Sequence, residues 1–166
     1  PGGRVVGVDM TPEMVERARA TAADRDEDGV APVEFRLGEI EHLPVADDAV
    51  DVVLSNCVVN LSPDKPQVFR EAMRVLRPGG RLAVSDVVLT GDLPASLRDD
   101  LDALSACVAG AAPVDRLEAM LADAGFADVR VEPRADGAEI VDGWDEDHDL
   151  GDALASARIT ARAPDS

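Results

Sequence analysis

Lysine is almost missing from this chain of 166 residues: Lys65 is the only one, and arginine makes up the rest of the basic set. The 16 basic residues face 34 acidic ones, for a formal charge of -18. Phosphate backbones and anionic membrane surfaces are repelled by such a surface, so neither nucleic acid nor a membrane is expected as a partner. Two readings fit the scarcity of lysine: a salt-rich cytoplasm whose counterions screen self-repulsion, or a GC-rich genome. Cysteine is scarce too, with two residues, and no apolar run approaches the ~18 residues of a membrane span. A soluble protein of a reducing, cytoplasmic compartment is expected. No signal-peptide pattern stands at the N-terminus. Pro1-Gly2-Gly3-Arg4 reads as the turn before a strand, as though the chain begins inside a fold. The two histidines, His42 and His148, lie in no metal-ligand spacing, so no metal site is expected. No internal repeat occurs. The one biased tract is acidic, Asp136 to Asp152, and reads as a solvated loop in which Trp144 either anchors the segment or closes over an active site.

What is present is alternation. Strand-like runs at Arg4 to Val8, Val33 to Leu37, Val50 to Leu54 and Leu82 to Val84 alternate with helical patterns except between the second and third, which implies crossover units, a parallel sheet and an α/β domain spanning residues 1–166. Thr11-Pro12-Glu13 opens a helix running to about Ala23, with an N-cap hydroxyl, a proline at the first position and an acid in the first turn. Gly38 to Asp48 is an irregular connection. Pro66 starts a helix with Val68, Phe69, Ala72, Met73 and Leu76 at the helical period, stopped by Arg77-Pro78-Gly79-Gly80. Helices from Pro94 to about Val108 and from Val114 to Ala124 follow, then strands at Asp128 to Val131 and Ala155 to Ala163. The unbroken apolar run Val50 to Leu54 predicts a strand covered on both faces.

In an open α/β sheet, ligands gather at the carboxyl ends of the strands. Asp9 ends the first strand, where a carboxylate can accept both hydroxyls of a ribose; a solvated turn acid is the alternative. Met10 can cover an aromatic ring with its thioether or belong to the core. Gly38, Glu39, Ile40 and Glu41 follow the second strand, where backbone amides and a carboxylate can read a base edge; a loop that is merely acidic fits as well. The third strand runs into Ser55-Asn56-Cys57, and that polar cluster passes through Asn60 and Pro63 into the next helix. Cys57 and Cys107 are open to three readings: small buried hydrophobes, a disulfide, which a reducing compartment disfavours, or soft ligands.

These segments together resemble the arsenite methyltransferases among the class I S-adenosylmethionine methyltransferases. The resemblance lies in G-V-D-M-T-P-E-M-V (Gly7 to Val15), L-G-E-I-E-H-L-P-V (Leu37 to Val45), S-N-C-V-V-N-L-S-P-D-K (Ser55 to Lys65), V-L-R-P-G-G-R-L-A-V-S-D (Val75 to Asp86), C-V-A-G-A (Cys107 to Ala111) and A-G-F (Ala124 to Phe126). It implies a Rossmann-like sheet and S-adenosylmethionine held by Asp9, Met10, Gly38 to Glu41 and Asn56. It further implies trivalent arsenic held by the thiolates of Cys57 and Cys107 so that its lone pair meets the methyl carbon in line, with a thiol reductant as helper. Asn-Cys-Val at Asn56 argues against methylation of nucleobase or glutamine nitrogens, which goes with an Asn or Asp followed by two prolines. The family's first strand, its glycine-rich turn and a further cysteine have no counterpart here. The resemblance therefore implies an N-terminally incomplete sheet, missing a central strand between Arg4 to Val8 and Val50 to Leu54, and weak cofactor binding by this chain alone. Methylation of a small organic acceptor such as a quinone precursor, and metalloid capture without turnover, are the alternative functions.

Overall fold

The computed structural model describes residues 3–23, 32–91, 106–134 and 153–165. Strand β1 (Val5–Asp9) leads to helix α1 (Pro12–Ala23), and β2 (Val33–Leu37) pairs parallel to β1 over its whole length. Strand β3 (Val50–Asn56) is followed by a 3-10 turn (Val59–Leu61), helix α2 (Lys65–Val75) and the long strand β4 (Leu76–Leu89). Helix α3 (Ala106–Ala109), the two-residue β5 (Ala112–Pro113), helix α4 (Val114–Asp123), β6 (Ala127–Pro133) and β7 (Leu154–Arg162) complete the described elements. The acidic segment with Trp144 and His148, and most of the helix expected from Pro94, lie outside the described residues.

Two sheets result, one of β1 and β2, the other in the order β3-β4-β7-β6 with β5 beside the end of β4. β3 runs parallel to β4, as the alternation of strands and helices implied, and β7 runs antiparallel to both β4 and β6, so the larger sheet is mixed. The last two strand-like runs have no helical pattern between them, and antiparallel neighbours need no crossover helix. β4 also starts six residues before the expected Leu82, because Val50 already pairs with Leu76 and the register then shifts across Arg77 to Gly80. Glycine is required there twice over. Gly79 has φ +75, and a Cβ on Gly80 would lie 2.8 Å from the Arg77 carbonyl oxygen.

The core lies between α2, α4 and the larger sheet. Phe69, Val75, Leu76, Leu117, Leu121, Leu154 and Ile159 are all but sealed from solvent. β7 alternates as its sequence promised, with Ala157, Ile159 and Ala161 inward and Arg158 and Arg162 exposed.

β3 does not. Val52 and Leu54 are 38% and 76% exposed, so the expectation of cover on both faces fails. Among the described residues β3 pairs with β4 alone and β1 with β2 alone. The facing edges of the two sheets carry no ladder bonds to one another, so the β-structure is broken between β1 and β3.

A strand-end rim and the cleft beside it

Asp9, at the end of β1, is exposed, and its Oδ1 accepts the amide of Thr11 at 2.8 Å, closing the turn that leads into α1. Its backbone carbonyl accepts the amide of Gly38 at 3.0 Å, so the ends of β1 and β2 form one rim. Met10 is 74% exposed, which removes the core reading of its thioether. Gly38 sits where a Cβ would collide with Pro44 at 2.7 Å. Beyond it, the His42 amide closes a tight turn on the carbonyl of Glu39 at 3.1 Å, with Ile40 half-buried between them. Glu41 faces inward toward α2: its carboxylate accepts the Ser62 hydroxyl, and its carbonyl accepts Gln67 Nε2 at 3.0 Å.

A clasp missed in the sequence holds this rim to the larger sheet. Arg74, on α2, donates to the carbonyls of Leu43 and Val45 at 3.1 and 2.8 Å and to Asp47 Oδ1 at 2.6 Å. It also forms a two-pronged pair with Glu71 at 2.8 Å on each prong, while Glu71 accepts the Leu43 amide at 2.8 Å. The Arg74 hydrogen bonds hold the Glu71 carboxyl below its ordinary pKa, outweighing its burial, and the Leu43 amide adds to the effect. Glu71 and Arg74 are three apart in a helix, a spacing that marks an ion pair; nothing local marks its reach to the loop.

At the end of β3, Asn56 is exposed and Ser55 and Cys57 are half-buried. Cys57 has φ +54, a left-handed conformation that costs a non-glycine residue about 1–2 kcal/mol. Its amide donates to the Ser85 carbonyl at 2.9 Å, and its Sγ lies 4.0 Å from Asn56 Oδ1. The chain then enters the 3-10 turn, where Asn60 and Ser62 are buried. Asp86, 2% exposed, accepts the Asn60 amide on Oδ2 at 3.1 Å and the Val87 amide on Oδ1 at 2.9 Å. Burial pushes the Asp86 carboxyl up, against the pull of the Val87 and Asn60 amides and the Lys65 charge. Burial likewise pushes the Lys65 ammonium down; it lies 3.5 and 3.4 Å from the carbonyls of Asn60 and Ser62. Cys107 lies in α3, which packs against the 3-10 turn and the end of β4.

The space between the open edges of β1 and β3 is an apolar cleft of about 320 Å³, lined among others by Val6, Val8, Val52, Leu54, Phe69 and Ala72. It occupies the break in the sheet and reaches the rim at Ile40, Ser55 and Asn56.

A methyltransferase-domain family model matches residues 1–125. The arsenite methyltransferase of Halobacterium salinarum is 56% identical over 164 residues, which is 99% of this chain and 41% of that protein. The human arsenite methyltransferase is 38% identical over 135 residues, 78% of this chain and 36% of that protein. The chain thus spans less than half the length of these curated relatives. The crystal structure of an arsenic(III) S-adenosylmethionine methyltransferase from Chlamydomonas reinhardtii matches with a TM-score of 0.74 at 37% identity, covering 98% of this chain and 55% of that one. A phosphoethanolamine N-methyltransferase from Haemonchus contortus, solved with S-adenosyl-L-methionine, matches with a TM-score of 0.78 over 98% of this chain and 49% of that one, but at 16% identity it bears on the fold alone. Sequence and topology lead to the same place, and the chain belongs to the methyltransferase-domain family.

Proposed function

We propose that this chain carries the adenosine-binding rim and two arsenic-holding thiols of an arsenite methyltransferase. The observation that carries the reading is the placement of Cys57. It stands in a strained backbone conformation at the carboxyl end of β3, and the helix bearing Cys107 is seated against the turn that follows it. Strain of that kind persists where the surrounding structure over-determines it, and it clusters at ligand sites. The names of the halobacterial and algal relatives supply the substrate class.

The donor set of the rim suits the adenosine half of S-adenosylmethionine: an exposed carboxylate at Asp9, an exposed thioether at Met10 and the turn from Gly38 to Glu41. Asp9 would accept the ribose hydroxyls, Met10 would lie on adenine, and the turn amides with Glu39 would meet the base edge. Asn56 would bound the site on the side of the sulfonium. When bound, the cofactor supplies an electrophilic methyl carbon. The polypeptide's part is to hold trivalent arsenic between soft thiolates, which leaves the arsenic lone pair unshared and calls for no general base. Reduced thiols require a reducing compartment, so the cytoplasm and a thiol reductant belong to this reading. The break between β1 and β3 weakens the cofactor site, and S-adenosylmethionine should bind the chain more weakly than micromolar by calorimetry.

Arsenite titration of the chain tests the thiol role. Cys57→Ser should lower arsenite affinity at least about tenfold, the loss of one ligand from a chelate. Wild-type affinity in that variant would leave a methyltransferase scaffold for some other acceptor.

A further inference from the structure

Three consecutive residues of β4 hold the segment that begins at Cys57. The Ser85 carbonyl takes the Cys57 amide at 2.9 Å, Asp86 Oδ2 takes the Asn60 amide at 3.1 Å, and the Val87 carbonyl takes Asn60 Nδ2 at 2.7 Å. The same stretch also meets the helix that bears the second cysteine. Val87, 1% exposed, packs in a small cluster with Val108, the neighbour of Cys107, and with Leu154. Asn60 and Asp86 are 4% and 2% exposed, so neither is placed to touch a ligand itself.

We propose that Asp86 and Asn60 are positioning residues that set the distance between the Cys57 and Cys107 segments. The proposal rests on the reading of the two cysteines as arsenic ligands. Capture by a pair of thiolates depends on the effective concentration of the second at the first, which falls steeply with misplacement. Capture by one thiol does not. A bracket that fixes residues 57 and 60 on one side and Val108 on the other governs that effective concentration without changing the reactivity of either sulfur. It also supplies the external restraint that the left-handed Cys57 backbone needs.

The test uses the whole chain and arsenite itself. Asp86→Asn keeps the size of the side chain and removes its charge. It should weaken arsenite binding about tenfold, the loss of one charge-assisted hydrogen bond. The alkylation rate of each cysteine by iodoacetamide, a one-thiol reaction, should stay at the wild-type value, while the urea midpoint falls by no more than the loss of that one bond. Asn60→Ala, which removes only the bond to the Val87 carbonyl, should act the same way to a smaller extent. Unchanged arsenite affinity in both variants overturns the proposal, and so does a fall in affinity matched by a change in the alkylation rate of either cysteine. Hydrogen exchange of the wild-type chain gives a check that needs no variant: the Asn60 amide should be protected, and exchange at the rate of an exposed loop amide overturns the bracket. Cys57→Ser separates the two levels. If it binds arsenite as the wild type does, the thiol reading fails and the positioning role falls with it. If it loses binding while Asp86→Asn keeps it, the thiol reading stands and the positioning role alone is overturned.

Discussion

In the half formed by β1, α1 and β2, only Val15 is buried among the described residues, whereas the half formed by β3 to β7 seals Phe69, Leu76, Leu117, Leu121, Leu154 and Ile159. Both halves are built of β-branched strands and amphipathic helices, so the difference lies in what covers them. In the larger half, α2 and α4 cover the sheet, and β7 fills the space between β4 and β6. In the smaller half, Val5, Val33 and Leu37 are at least 40% exposed. Local pattern is enough to shape a strand; burial needs a neighbour. The rim proposed to hold adenosine sits on the loosely covered half and is tied to the other by Arg74 and Glu71.

Paired truncations give the largest expected contrast. Leu121→Ala, at a position with 0% exposure, should cost about 2–5 kcal/mol in urea unfolding. Leu37→Ala, 52% exposed, should cost less than about 1 kcal/mol. Equal costs would mean that the two halves share one core after all.

Breaking the clasp comes next. Glu71→Gln should cost about 1–3 kcal/mol, because it removes the charge of the Glu71–Arg74 pair and weakens the bond to the Leu43 amide. The pH dependence fixes its sign. Folding lowers the Glu71 pKa, so this stabilisation is complete above the ordinary carboxylate value of ~4.3 and fades as pH falls through the folded value. Asp86 runs the other way: its folded pKa is raised, so its contribution grows as pH falls through that value and is lost as pH rises. Urea midpoints followed from about pH 7 to 3 should therefore lose part of their acid sensitivity in Glu71→Gln. An unaltered profile would remove the clasp from the account.

Asp9→Ala gives the smallest effect. Losing the bond to the Thr11 amide should cost about 0.5–1 kcal/mol, read as fraying of α1 by hydrogen exchange and not as a shift of the main unfolding transition.

Elements whose signals are local were legible in the sequence. β2 and the end of α1 match their expected bounds, and β1 differs by one residue, because β-branched runs and a Thr-Pro-Glu start need no distant partner. The start of β4 was not legible. Pro78-Gly79-Gly80 marks the end of a helix equally well whether or not the chain goes on to pair with Val50. The direction of β7 and the two-residue β5 depend on partners far along the chain. At the site, the rim acid Asp9 was legible from its place at a strand end. In the sequence Asp86 follows a strand-like run as Asp9 does, yet it lies within β4, buried and bonded to the Asn60 and Val87 amides, while Asp9 is open at a strand end. The left-handed backbone of Cys57 had no sequence signal, since cysteine carries no preference for it.

The bare flank of β3 has a consequence for the molecule in solution. Seven residues of unladdered peptide, with Leu54 standing out from one face, form a template on which another copy can add a strand. Mutual repulsion of a chain with a formal charge of -18 opposes that addition. That repulsion reaches ~10 Å in 0.1 M salt and only ~3 Å in 1 M salt. Brine thus weakens that guard along an edge where self-recognition can begin.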